Sequence, residues 1–136
     1  MDFDLNDNPC IICSPDHPHG IRAEFTNQEG LAVARVTLGE GWQGFTGMVQ
    51  GGIITGLLDD AMWYAIYGTH QTTTVTAEIT VRFIRPVLVG RPVEVRAHVV
   101  RYRSRLQEAT GELMQEGEVC ATASGKFMPK HAQQEP

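Results

Sequence analysis

"GMVQGGIITGLLDDAM", residues 47–62, places two adjacent glycines before an apolar run that ends in two adjacent carboxylates. On a wheel of about 100° per residue, Ile54, Leu57, Leu58, Ala61 and Ala65 form one stripe. Met62 and Ile66 widen the stripe on one side and Ile53 and Tyr64 on the other, while Trp63 and Tyr67 lie near the back. A helix that is apolar almost all round is a buried helix, so the rest of the chain must wrap it. Its polar side chains between Gly52 and Gly68 are Thr55, Asp59 and Asp60.

The flanking sequence supplies the wrapping. After the helix, "TTTVTAEITVRFIRP" (72–86) alternates, with Val75, Ala77, Ile79, Val81 and Phe83 on one face and Thr76, Glu78, Thr80 and Arg82 on the other. Further strands are predicted around Val93–Tyr102 and Leu106–Met114. "QEGE" (115–118) reads as a hairpin turn, and the alternation of Val119, Ala121, Ala123 and Phe127 continues to the end. Before the helix, a short strand near Ile21–Phe25 is expected to meet the turn "TNQEG". A second follows over Leu31–Leu38, and the glycine-rich "GEGWQGFTG" (39–47) is a loop. Two strands, one helix and four strands joined by short turns imply an α+β domain, with an antiparallel sheet of about six strands around one central helix. Residues 1–20 read as an irregular lead, 21–129 as the domain and 130–136 as a frayed tail.

The chain has 136 residues, 42% hydrophobic and 20% charged, which suits one globular domain with a sizeable core. A formal charge of -5 argues against a nucleic-acid partner. The start lacks an apolar h-region and no run of 18 apolar residues exists, so neither a secretory signal nor a membrane span is expected. Three cysteines (Cys10, Cys13 and Cys120) are an odd count and suggest free thiols in a reducing cytoplasm.

Aspartate is rarely buried unless it is paired or functional. Asp59 and Asp60 can cap neighbouring backbone or face solvent at a subunit rim. They can also do chemistry. Glycines that open a helix leave its first N–H groups uncovered, and the helix dipole makes that end attractive to negative charge. A carbonyl oxygen gaining charge during acyl transfer would be stabilised there. Asp59 lies roughly 12 Å further along the helix, a gap that an extended substrate could span. A carboxylate of one chain could instead serve the helix start of another.

These residues resemble the hotdog-fold acyl-CoA thioesterases of the PaaI-like group, over about Cys10 to Met128. The most specific piece is residues 47–62, similar to the family's loop, His-Gly-Gly, apolar helix and acidic residue. "CIICSPDHPHGI", "GWQGFTG" and "TVRFIRPVLVG" also fit. The resemblance implies a helix wrapped by an antiparallel sheet, with subunits paired edge to edge as a homodimer or homotetramer that shares its active sites. It implies acyl-CoA hydrolysis without a cofactor. Asp59 matches the catalytic acid, acting as general base on water or as nucleophile, and the Gly51 N–H matches the group that polarises the thioester carbonyl. Gly52 beside it would help bind the substrate. Thr76 falls where a Ser or Thr helps orient the water, and Gln43 lies near a loop Asn or Gln position. The histidine slot holds Gln50, which can donate and accept hydrogen bonds but cannot titrate near neutrality. That departure keeps open a non-catalytic acyl-CoA binding or sensing module on the same fold.

Two further groups bear on ligands. Arg101, Arg103 and Arg105 recur with period two, which suits either a solvated strand face or the phosphates of coenzyme A; Arg82 and Arg85 are weaker candidates of the same kind. "CIIC" (10–13) with His17 and His19 raises a zinc reading. Only one cysteine pair is present and the histidine spacing is poor, so no metal is expected and the segment reads as a packed turn.

Overall fold

The computed structural model describes residues 7–130. Helix α1 (Gly51–His70) is enclosed by strands β1 (Thr26–Gln28), β2 (Leu31–Thr37), β3 (Thr74–Phe83), β4 (Pro92–Tyr102), β5 (Gln107–Gln115) and β6 (Glu118–Pro129). They form one antiparallel sheet in the order β1-β2-β4-β5-β6-β3, which leaves β1 and β3 at its edges. This is the hotdog arrangement. A short 3-10 turn, Glu40–Trp42, interrupts the glycine-rich loop.

The helix packs as its wheel predicts. Ile54, Leu57, Leu58, Ala61, Met62, Ala65 and Ile66 are buried against the sheet, each leucine worth about 1.5–3 kcal/mol of transfer free energy. Close approach depends on a floor of small residues. Ala97, Gly111 and Ala123 sit side by side across β4, β5 and β6, with Ala109 and Gly125 in register beside them. Leu58 and Met62 rest on this floor: a Cβ on Gly111 would lie 3.5 Å from Leu58 Cδ2, and one on Gly125 3.0 Å from Met62 Cε. The helix ends where Gln71 takes a left-handed conformation (φ 56°) and its N–H returns to Tyr67 O at 2.8 Å. The His70 ring stacks on Tyr102, with centroids 3.7 Å apart.

The first strand departs from expectation. Residues 21–25 are not a strand of the sheet; β1 is Thr26–Gln28, and the turn is only Glu29–Gly30. Both turn residues have positive φ (54° and 88°), the geometry of a tight two-residue hairpin. The Ile21 and Ala23 N–H groups instead bond to the Ile11 and Ile12 carbonyls, which fastens the chain to its own lead. The "QEGE" hairpin turns as read, with Glu116 and Gly117 at φ 53° and 80°. In β3 the pairing with β6 slips between Thr76 and Glu78. The expected frayed tail begins at Lys130, whose N–H bonds Thr73 O at 3.1 Å; the rest of it lies outside the described residues.

Candidate active site

The start of α1 is built by Gln50. Its backbone is extended (φ -67°, ψ 140°), and its Oε1 accepts hydrogen bonds from the N–H groups of Gly52 (2.5 Å) and Ile53 (3.2 Å). Gln50 is the N-cap, which satisfies two of the helix's orphan donors. Gly52 must be glycine for this reason, since a Cβ there would meet Gln50 Oε1 at 2.7 Å. Its N–H is therefore taken, contrary to the expectation that both glycines offer theirs to a ligand. Among the described residues, the Gly51 N–H has no hydrogen-bond partner.

Gly51 borders a cleft of about 660 Å³ whose walls include Phe45, Met48, Ile54, Phe83 and Val87. Phe45 is 82% exposed and Phe83 54%, a large apolar surface open to solvent beside a helix N-terminus. Arg85, a weaker candidate in the sequence, lines the same cleft and pairs with Glu118 at 3.5 Å. Gln43 does not point a free amide at this space. Its Oε1 accepts the Gly47 N–H at 3.0 Å and braces the loop.

Asp59 lies two turns further along α1. Its Oδ1 accepts a 2.6 Å hydrogen bond from Thr76 Oγ1 on β3, so the structure brings together two residues 17 positions apart. Burial raises the Asp59 pKa above the usual carboxylate value, and the Thr76 hydrogen bond partly opposes the rise.

The neighbouring aspartate turns elsewhere. The lead crosses α1 along the face of Gly56, Asp60 and Tyr64: Ile12 Cδ1 occupies the space that a Cβ on Gly56 would fill, at 2.9 Å. Cys10 Sγ donates to Asp60 Oδ2 at 3.3 Å, and the Tyr64 hydroxyl donates to Cys13 Sγ at 3.4 Å. Burial first, and then the charge of Cys10, pushes the Asp60 carboxyl up to about 8. A hydrogen bond donated by the Cys13 thiol to the Cys10 sulfur holds Cys10 below the usual thiol range, and the same bond raises Cys13. No periodicity could have found this cluster, because Asp60 lies 50 positions from Cys10.

Arg101, Arg103 and Arg105 are not at the cleft. Arg101 sits near the end of β4, paired with Glu108 at 3.4 Å, and the other two follow in the connection to β5. Tyr102 stacks on the last residue of α1, so within one chain this group lies at the opposite end of the helix from Gly51.

A helix enclosed by an antiparallel sheet, with a free glycine N–H at its start and a half-buried aspartate two turns on, defines a hotdog domain. The thioesterase superfamily model matches residues 46–122, and the chain belongs to that superfamily. Several solved structures share the fold. A thioesterase superfamily protein aligns over 88% of this chain with 22% identity and a TM-score of 0.80; the chain spans 62% of that protein's length. The Escherichia coli PaaI protein from the phenylacetic acid degradation operon aligns over 80% of each chain, with 22% identity and a TM-score of 0.74. The smu.793 protein of Streptococcus mutans, solved with acetyl-CoA bound, aligns over 85% of this chain and 97% of its own, with 15% identity and a TM-score of 0.74. No curated protein sequence matches the chain. No helix among the described residues is long and apolar enough to cross a membrane.

Proposed function

We propose that the protein is an acyl-CoA thioesterase, hydrolysing an acyl-CoA thioester to a free acid and coenzyme A. The observation that carries this reading is the Thr76–Asp59 hydrogen bond, which fixes one oxygen of a half-buried carboxylate on the helix that also presents the free Gly51 N–H. As general base, Asp59 takes a proton from water while the water oxygen attacks the thioester carbon. The Gly51 N–H receives the charge that develops on the carbonyl oxygen. The C–S bond then breaks and the proton passes from Asp59 to the departing thiolate. As nucleophile, Asp59 would attack the carbon itself and expel the coenzyme A thiolate; water would then cleave the resulting anhydride, freeing the acid and Asp59 and giving up the proton that the thiolate takes. The apolar cleft beside Gly51 suits the acyl chain, and Arg85 at its wall suits a phosphate of coenzyme A. Acetyl-CoA bound to the Streptococcus mutans neighbour is in keeping with such a ligand.

The eight residues from Gly51 to Asp59 span about 12 Å of helix, too far for one thioester carbon to touch both groups in a single chain. The reactive centre is therefore formed between two subunits, Asp59 of one facing Gly51 of the other. The exposed edge of β3, which carries Thr76, is the surface on which they pair.

Thiol release from a panel of acyl-CoAs tests the assignment, with Asp59→Asn as control. Turnover of at least one acyl-CoA that the control loses supports it. A second reading, acyl-CoA binding without hydrolysis, is favoured by one observation: Gln50 spends its carboxamide oxygen on the helix cap and has no titrating ring. Tight acyl-CoA binding with no thiol release from any member of the panel would establish that reading.

A further inference from the structure

The cluster at Cys10, Cys13, Asp60 and Tyr64 has no part in the proposed hydrolysis. The two thiols belong to a Cys-x-x-Cys turn, closed by the Ser14 N–H on Cys10 O at 3.0 Å. Both sulfurs already accept hydrogen bonds. Cys10 Sγ receives the Ile12 N–H at 3.3 Å, and Cys13 Sγ receives Asn8 Nδ2 and the Tyr64 hydroxyl, each at 3.4 Å. Donors aimed at sulfur from backbone and side chain are what a thiolate needs. The helix contributes a carboxylate to the same space. Among the described residues no lysine, arginine or histidine pairs with Asp60; its neighbours are the two cysteines and a second aspartate.

We propose that Cys10, Cys13 and Asp60 form a three-ligand site for a thiophilic divalent cation of the zinc class, with a fourth position open to solvent or a small ligand. The geometry fits with little movement. One sulfur of each cysteine and one oxygen of Asp60 lie within 4.8 Å of one another. Tetrahedral zinc, with bonds of about 2.3 Å to sulfur and 2.0–2.2 Å to oxygen, separates a sulfur and an oxygen ligand by about 3.5 Å and two sulfurs by about 3.8 Å. Cys10 Sγ and Asp60 Oδ2 are 3.3 Å apart. All three side chains are only partly buried, so an ion can enter. Binding displaces to solvent the protons that the two sulfurs and the Asp60 carboxyl hold between them, and places a cation against a carboxylate that lacks one. Neither His17 nor His19 belongs to the cluster; the ligand absent from the sequence pattern comes from α1.

The metal would cross-link the lead to the helix at the residue next to Asp59. It stands apart from the acyl chemistry, so the site can exist whether or not the protein hydrolyses acyl-CoA.

The test is a titration of the full-length, reduced and chelator-stripped protein with cobalt(II), followed by zinc(II). The site predicts sulfur-to-cobalt charge-transfer absorption saturating at one ion per chain, bleached by one equivalent of zinc. Cys10→Ser and Cys13→Ser should each cut the charge-transfer intensity by about half or more, and Asp60→Asn should weaken cobalt binding at least about tenfold. Cys120→Ala, which removes the thiol remote from the cluster, should leave the spectrum unchanged. Circular dichroism of each variant establishes that it is folded. Absence of the charge-transfer band in protein whose three thiols titrate as free overturns the proposal. So does cobalt affinity that Asp60→Asn leaves untouched.

Discussion

Thr76 Oγ1 sits 2.6 Å from Asp59 Oδ1, a bond that joins the open edge strand to the middle of the buried helix. It sets the charge of Asp59 as well as its orientation. Burial raises the carboxyl's pKa and the hydroxyl lowers it, so the two effects compete on one group.

The pH dependence of hydrolysis follows. Asp59 must be ionised to take a proton from water, so kcat/KM should fall as pH drops through its raised folded-state pKa. Removing Thr76 removes the influence that holds this pKa down. Thr76→Ala should therefore move the acidic limb to higher pH and lower the rate on that side, while Asp59→Asn should cost about 10²–10⁴-fold above the limb and lose the limb itself. A pH–rate profile of each variant reads both effects; an acidic limb that moves down in Thr76→Ala would contradict them.

Gly51 is the first residue of α1 and follows an extended Gln50, a combination that proline accepts. Gly51→Pro thus deletes one N–H and leaves the helix standing, and activity should drop steeply without loss of thermal stability. Mixing refolded Gly51→Pro and Asp59→Asn chains gives a direct measure of subunit sharing. Statistical mixed dimers hold one intact site each, so about a quarter of parental activity should return. No recovery would place both groups in one chain.

Gln50 should act on stability through its cap. Gln50→Ala frees the N–H groups of Gly52 and Ile53 and should lower unfolding free energy by about 0.5–2 kcal/mol, measured by denaturant titration. Gly52→Ala should show a similar loss, since its Cβ would displace the Gln50 oxygen. An undiminished midpoint in both would mean that the cap contributes nothing.

The floor beneath the helix leaves no room for a methyl group. At Gly111 a Cβ would lie 3.0 Å from Arg96 O, a backbone atom fixed by the β4–β5 pairing. Gly111→Ala should cost about 1–3 kcal/mol. At Gly56 the obstacle is the free end of the Ile12 side chain, so Gly56→Ala should cost less. Comparing the two by thermal unfolding tests whether rigidity of the neighbour decides the effect.

The sequence by itself determined the helix and most of the sheet, because burial on all sides and alternation with period two are local patterns that need no partner to be read. Residues 54–66 and the four strands after them are where their periodicity put them. The family resemblance, rather than any local pattern, singled out Gly51, Asp59 and Thr76, and the fold brings Thr76 to Asp59. The tertiary structure alone decided which donors are free and which pairs meet. Gln50 claims one of the two glycine N–H groups, a choice made by a side-chain rotamer. The segment before β1 bonds to the lead rather than to the sheet, because the Ile11 and Ile12 carbonyls meet its N–H groups there. The three arginines end up at the far end of a helix about 30 Å long, a separation that period-two spacing cannot express. Asp60 meets Cys10 across 50 residues, and only a chain folded back over its own helix can bring a carboxylate to a cysteine pair.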